Sequence, residues 1–176
     1  MSPAPAKNEG ARNEVADFEL ARALEAASAV PDPEVPCVTV ADLGILRDVS
    51  RAKDGVITVK LTPTYSGCPA VIAIEMAVQS ALIEAGIDAR VERVITPTWT
   101  TDWITPEGRE KLRAYGIAPP VGSSGGRRAF FSEETVACPR CGSNNTSKVS
   151  EFGSTACKAH YRCDDCAEPF DYFKCI

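Results

Sequence analysis

The sequence predicts an α+β protein in two parts: a small two-layer α/β domain over residues 14–117, then a cysteine-held module over residues 130–176. Three observations predict it. Helix-type and strand-type patterns interleave over the first part in the order α-β-β-α-β-α, the pattern of a small sheet with helices packed on it. A stretch rich in Pro, Gly and Ser over 118–129 has little to bury and reads as a linker. Two Cys-X-X-Cys pairs, Cys138/Cys141 and Cys163/Cys166, stand 21 residues apart near the end of the chain, a spacing typical of a four-thiolate metal site.

Residues 1–13, rich in Ala, Pro, Lys and Asn, read as a disordered tail. Asn13 can cap a first helix from Glu14 to about Ala29, whose Val15, Phe18, Leu20, Ala21, Leu24 and Ala27 fall mostly on one face. Pro31 ends it, and Asp32-Pro33-Glu34-Val35-Pro36 is too stiff for helix. Val38–Val40 suggests a short strand before an Asp42-Leu43-Gly44 turn. Ile45–Arg51 and Val56–Thr62 flank Asp54-Gly55, a hairpin signal, and Ile57, Val59 and Leu61 alternate with polar residues. A second helix is expected from Cys68-Pro69 through Ala85, ended by Gly86, with Pro69 at its first position. Ala89–Ile95 reads as a strand, and Thr105-Pro106 opens a helix to about Tyr115.

In the cysteine module each pair places two thiolates on one tight turn, and two such turns facing each other form a tetrahedral pocket. Gly142 follows the first pair, where the turn favours a residue that tolerates positive φ. The predicted ligands are Cys138, Cys141, Cys163 and Cys166. A redox dithiol is the competing reading, but Cys-X-X-Cys redox motifs open a helix within a βαβ unit, and nothing of that kind surrounds these pairs. The chain holds eight cysteines. Cys157 and Cys175 are two further thiols that extend the site or simply pack, and Cys37 reads as a packing residue. His160, the single histidine, reads as an exposed strand residue.

Charge and hydropathy narrow the function classes. Residues 1–126 carry 12 basic against 17 acidic side chains and residues 127–176 carry 7 of each, so the module lacks the basic face that nucleic acid requires. The most apolar stretch, 69–85, contains Glu75, Gln79 and Glu84 and is no membrane span. The first 13 residues lack the apolar centre of an export signal, and thiols without export point to a reducing, cytoplasmic setting. No Glu-X-X-His pair, phosphate loop or Gly-X-Ser-X-Gly elbow is present.

Cys68 is the second point of chemical interest. The loop Thr62–Gly67 delivers it to an expected helix start, where an N-cap position would favour its thiolate. It reads as a reactive or metal-contacting thiol, with a small buried packing residue as the alternative. Glu34 and Asp42 flank the stiff turn and could support it.

Four stretches together carry a resemblance. They are Asp32–Pro36 with Val40–Gly44, Thr62–Pro69, Trp99–Ile104 running on to Tyr115–Pro120, and Phe152–Ala159 followed by Tyr161–Cys163 and Glu168–Phe170. In this order they resemble the PaaD family, accessory proteins of bacterial phenylacetyl-CoA 1,2-epoxidase, over roughly residues 14–176. The resemblance implies a SufT-like iron–sulfur assembly domain followed by a zinc ribbon. It implies that Cys68 is the functional thiol, a transient contact for iron or an iron–sulfur cluster, with Glu34 and Asp42 nearby, and that zinc in the ribbon is structural. It further implies a non-enzymatic role in iron–sulfur assembly or insertion during phenylacetate catabolism. The partners it implies are the epoxidase subunits, above all the iron–sulfur reductase, with a homodimer as one arrangement. A rubredoxin-like electron carrier and a structural or catalytic subunit of the oxygenase are the alternatives, the first because the Cys-Pro-X-Cys-Gly turn also holds single iron ions.

Overall fold

The computed structural model describes residues 9–65, 67, 69–121 and 135–174. The expected tail, most of the expected linker, Cys68 and Cys175 lie outside the described residues. Helix α1 (Glu9–Ser28) precedes a hairpin of β1 (Leu46–Arg51) and β2 (Ile57–Leu61). Helix α2 (Val71–Glu84) crosses over to β3 (Ala89–Arg93), which lies parallel to β2, giving a three-stranded sheet in the order β1-β2-β3. A short 3₁₀ turn at Thr101–Trp103 leads to α3 (Pro106–Tyr115) and β4 (Ile117–Ala118). The cysteine module is β5 (Thr146–Ser150), β6 (Lys158–Cys163) and β7 (Pro169–Phe173), antiparallel in sequence order.

Val59 and its neighbours Ile57 and Leu61 are buried, as alternation in a half-covered strand requires, and α2 lays Ile74, Val78 and Leu82 on the sheet at helical spacing. Helix α1 begins before Asn13, so that residue is internal rather than the cap. Its packing face also differs from expectation. Ala23 and Ala27 are fully buried while Phe18 and Leu24 are exposed, because small residues let the helix lie close to β1 and α2. The expected strand over Val38–Val40 is a single bridge between Pro31 and Thr39. The prolines in 31–36 deny that segment the donors a ladder needs.

Helix α3 starts as its sequence dictates. Thr105 Oγ1 accepts from Gly108 N–H at 2.9 Å, Pro106 takes the first turn, and Gly116 closes the helix at φ +95°. Gly44 has a different role. Its φ is +66°, and a Cβ there would sit 2.5 Å from the Trp103 carbonyl oxygen. Gly55 also has positive φ but meets nothing within 4 Å. Gly44→Ala is therefore expected to cost about 2–5 kcal/mol from left-handed strain plus overlap, against about 1–2 for Gly55→Ala, as measured by chemical denaturation.

The two modules meet more closely than a linker alone would suggest. Strand β4, which holds Ala118 at the head of the expected linker, pairs in parallel with β7, so the second sheet runs β4-β7-β6-β5. Phe173 and Cys157 are buried in the core of the first module. Trp99, 1% exposed, packs its ring 6.3 Å from that of Phe173 and donates Nε1–H to the Leu43 carbonyl at 2.8 Å. A smaller core inside the ribbon gathers Val136, Tyr161, Phe170 and Tyr172. Arg109 donates to the carbonyls of Thr101 and Pro120, holding the chain where it leaves β4.

Candidate metal centre and intermodule cleft

The four predicted ligand cysteines converge. Their sulfurs all lie within 4.8 Å of one another, and no other group of three or more ligating side chains does so among the described residues. Cys138 and Cys166 are 3.8 Å apart, Cys141 and Cys163 3.6 Å. A tetrahedral ion with metal–sulfur bonds of about 2.3 Å requires sulfurs about 3.8 Å apart, so this donor set fits a four-thiolate metal site. The first turn is fixed by Gly142 N–H to the Cys138 carbonyl at 2.9 Å, with Gly142 at φ +76°. The second carries Ala167 at φ 62°, the left-handed conformation that glycine supplies in the first. Asp165 joins the two turns by accepting from the Ser143 hydroxyl and from Asn145 Nδ2, and Arg140 pairs with Glu168 across them.

Four thiols this close cannot all ionise without a cation. The backbone bond from Ser143 pulls the Cys141 thiol down, but contact with Cys166, desolvation and the neighbouring Cys163 and Cys138 push it up to about 12. The backbone bond from Cys166 leads the opposite shift at Cys163, down to about 7. A divalent ion removes this conflict by compensating the negative charge.

A second site lies where the modules touch. A small cleft there has room of about 20 Å³, enough for one water or ion. The Asp32-Pro33-Glu34 turn forms one wall. Pro63 and Thr64, just before Cys68 in the chain, and Val71, just after it, form another. Cys157 and Phe173 of the ribbon form the third. Asp32, which carried no functional expectation, organises the turn: its Oδ1 accepts from the N–H groups of Glu34 and Val35, both at 2.8 Å. The signal was legible, because an Asp followed by Pro favours such a turn. Burial pushes the Asp32 carboxyl up, outweighing those two bonds and the attraction of Lys158. Lys158 gave no sequence signal, yet it is 3% exposed, with its ammonium 3.9 Å from Asp171.

The other predicted residues fall as follows. Glu34 lines the cleft, and its carboxylate has no hydrogen-bond or ion-pair partner among the described residues. Asp42 is not among the cleft's lining residues. It accepts from Thr39 N–H at 2.8 Å and pairs with Lys111 Nζ at 2.6 Å. Burial works against its ionisation, but Lys111 and Thr39 together hold its carboxyl below the usual range. His160 sits on β6 with Nδ1 3.4 Å from Asp171 Oδ1, and Cys37 packs against the first core. Helix α2 begins at Val71 with Ala70 as its cap, so the expected start at Cys68-Pro69, with Cys68 as N-cap and Pro69 in the first turn, is corrected. Pro69 and Ala70 form a turn ahead of the helix instead.

Comparison with known proteins agrees with this division. A family model described as "Iron-sulfur cluster assembly protein" matches residues 20–94, and one described as "PaaD zinc beta ribbon domain" matches residues 123–174. A crystal structure of a DUF59 domain from Bacillus anthracis superposes with a TM-score of 0.50 at 22% identity, covering 57% of this chain and 96% of that one, and shows the fold alone. The fold and the cysteine cluster thus define a class, an α+β protein in which an iron–sulfur-assembly-type domain is joined to a zinc-ribbon module. Among relatives, a "Putative 1,2-phenylacetyl-CoA epoxidase" component of Escherichia coli (strain K12) is 52% identical over 150 residues, 85% of this chain and 88% of the relative. The "Fe-S protein maturation auxiliary factor" of Porphyromonas gingivalis (strain ATCC BAA-308 / W83) is 33% identical over 87 residues, 47% of this chain and 80% of the relative. The chain belongs to the PaaD family. No helix among the described residues is long and apolar enough to cross a membrane.

Proposed function

We propose that this protein is a non-enzymatic accessory factor of a phenylacetyl-CoA epoxidase system, acting in the cytoplasm on the assembly or insertion of an iron–sulfur centre. Cys68 is the thiol that contacts iron or a cluster in transit. Glu34 stands beside Pro63 and Thr64 of the loop that precedes it, and Asp42 fixes the turn behind through Thr39 and Lys111. The ribbon holds zinc through Cys138, Cys141, Cys163 and Cys166, which supplies folding energy rather than turnover. The client is the iron–sulfur reductase of the epoxidase. Such a centre is built by passing soft ions between thiolates, and this chain offers thiols in place of any general base or cofactor loop.

The observation that carries the reading is the cleft. Residues on either side of Cys68 in sequence and the turn bearing Glu34 meet there, in a chain 52% identical to a protein named for the epoxidase. The test is Cys68→Ser in cells lacking the native protein. The variant is expected to keep its fold and ribbon metal while the reductase is recovered with its cluster content reduced about tenfold or more, a loss of at least about 1.4 kcal/mol in effective delivery. Reductase carrying a full cluster in that strain would rule out the role of Cys68.

A further inference from the structure

Cys157 has no place in the ribbon's metal set, and it is not spare packing inside the ribbon either. It faces the first module, 7% exposed, in the wall of the cleft that Thr64 also lines. Its Sγ contacts the Thr155 hydroxyl at 3.0 Å. Burial pushes its thiol up, the Thr155 bond and the Lys158 ammonium work the other way, and the carboxylates of Glu34 and Asp32 add to the rise. Two acids are thus near enough to this sulfur to resist a second negative charge. A bound cation reverses that sign, because thiolate and carboxylates then share one positive partner. Asp32 has one oxygen already taken by two N–H groups, whereas the Glu34 carboxylate is free among the described residues. Most of the remaining wall is apolar, with Ile45, Ile74 and Phe173 among it, and space remains for one ion-sized guest.

We propose that the cleft is a binding site for one thiophilic divalent cation of the ferrous class, with Cys157 Sγ and the Glu34 carboxylate as its protein donors. The inference rests on the reading that this protein handles iron, and it gives the ribbon a reason to be fused to the assembly domain. Strand β6 runs from the cleft at Cys157 and Lys158 to the metal ligand Cys163, so the ribbon's own ion holds a second thiol in place at a distance. Binding converts the Cys157 thiol to a thiolate and releases its proton to solvent, one per ion, with no change of oxidation state. A mixed thiolate and carboxylate pair binds less tightly than four thiolates, which suits an ion that must be passed on.

Full-length protein with its ribbon loaded with zinc is titrated anaerobically with Fe(II), and bound iron and proton release are read together for wild type, Cys157→Ala, Glu34→Gln and Cys68→Ser. The expected result is one Fe(II) per wild-type chain beyond the ribbon metal, with one proton released. Cys157→Ala and Glu34→Gln are each expected to weaken binding by more than about tenfold with the zinc count unchanged. Wild type that takes up no extra Fe(II), or Cys157→Ala that binds as wild type does, overturns the inference. Should Cys157→Ala fail to fold, Glu34→Gln carries the test with the same two outcomes, since its side chain is only half-buried. Cys68→Ser separates the two readings. If it loses support of the reductase while Cys157→Ala binds iron normally, the cleft site is wrong and the role of Cys68 stands. If Fe(II) binding depends on Cys157 while Cys68→Ser cells are fully competent, the cleft site stands alone.

Discussion

Cys138→Ser is expected to release the ribbon's metal and unfold β5–β7. A structural zinc site contributes about 10–16 kcal/mol in apparent terms at neutral pH, more than a module of this size can replace from its own core. That core consists of Val136, Tyr161, Phe170, Tyr172 and a few small residues around them. Cys138 is itself buried, so the variant leaves three thiols crowded around a hydroxyl without compensating charge. The damage should not stop at the ribbon. Phe173 and Cys157 cover part of the first core, so their departure wets Trp99. Metal analysis is expected to fall by about one ion per chain, and tryptophan emission to shift to the red, while far-UV dichroism retains the helices. A variant that keeps a full metal count refutes the ligand set. Metal loss with unchanged emission would mean that the two modules do not share a core.

Trp99→Ala tests that shared core from the other side. The side chain is 1% exposed, rests against Phe173 and donates to the Leu43 carbonyl. Truncation removes a large buried surface, leaves a cavity and strands that carbonyl, for about 3–5 kcal/mol in all. In a chain of this length that lowers the melting midpoint by about 10 °C. Trp99→Phe keeps a ring against Phe173 and loses only the Nε1–H bond, so about 1–2 kcal/mol is expected. Calorimetry on the pair separates packing from hydrogen bonding. The ribbon's metal count should be unchanged in both, because the sulfurs are held by their own turns.

The four ligand cysteines can be named from their spacing because each pair sits on a local turn, and local turns are written in local sequence. The hairpin at Asp54-Gly55, the α3 start at Thr105-Pro106 and its end at Gly116 follow from backbone preferences that no distant contact overrides. The elements that differ from expectation have a common cause. On α1, apolar side chains occupy more than one stripe, and only the presence of β1 and α2 selects Ala23 and Ala27 over Phe18 and Leu24. At α2 the proline at 69 favours a helix start there, but the chain spends a turn on Pro69 and Ala70 and starts the helix at Val71.

The order of elements, the metal ligands and the turn chemistry around them are set within short windows of the chain, because each depends on residues a few positions apart. Long-range packing alone fixes that β4 joins the ribbon's sheet, that Lys158 is buried, and that Cys157 shares a cleft with Glu34 rather than joining the other sulfurs. The last of these requires residues more than a hundred positions apart to reach the same place. Burial and proximity of that kind arise when the whole chain collapses onto itself, and no local pattern of residues encodes them.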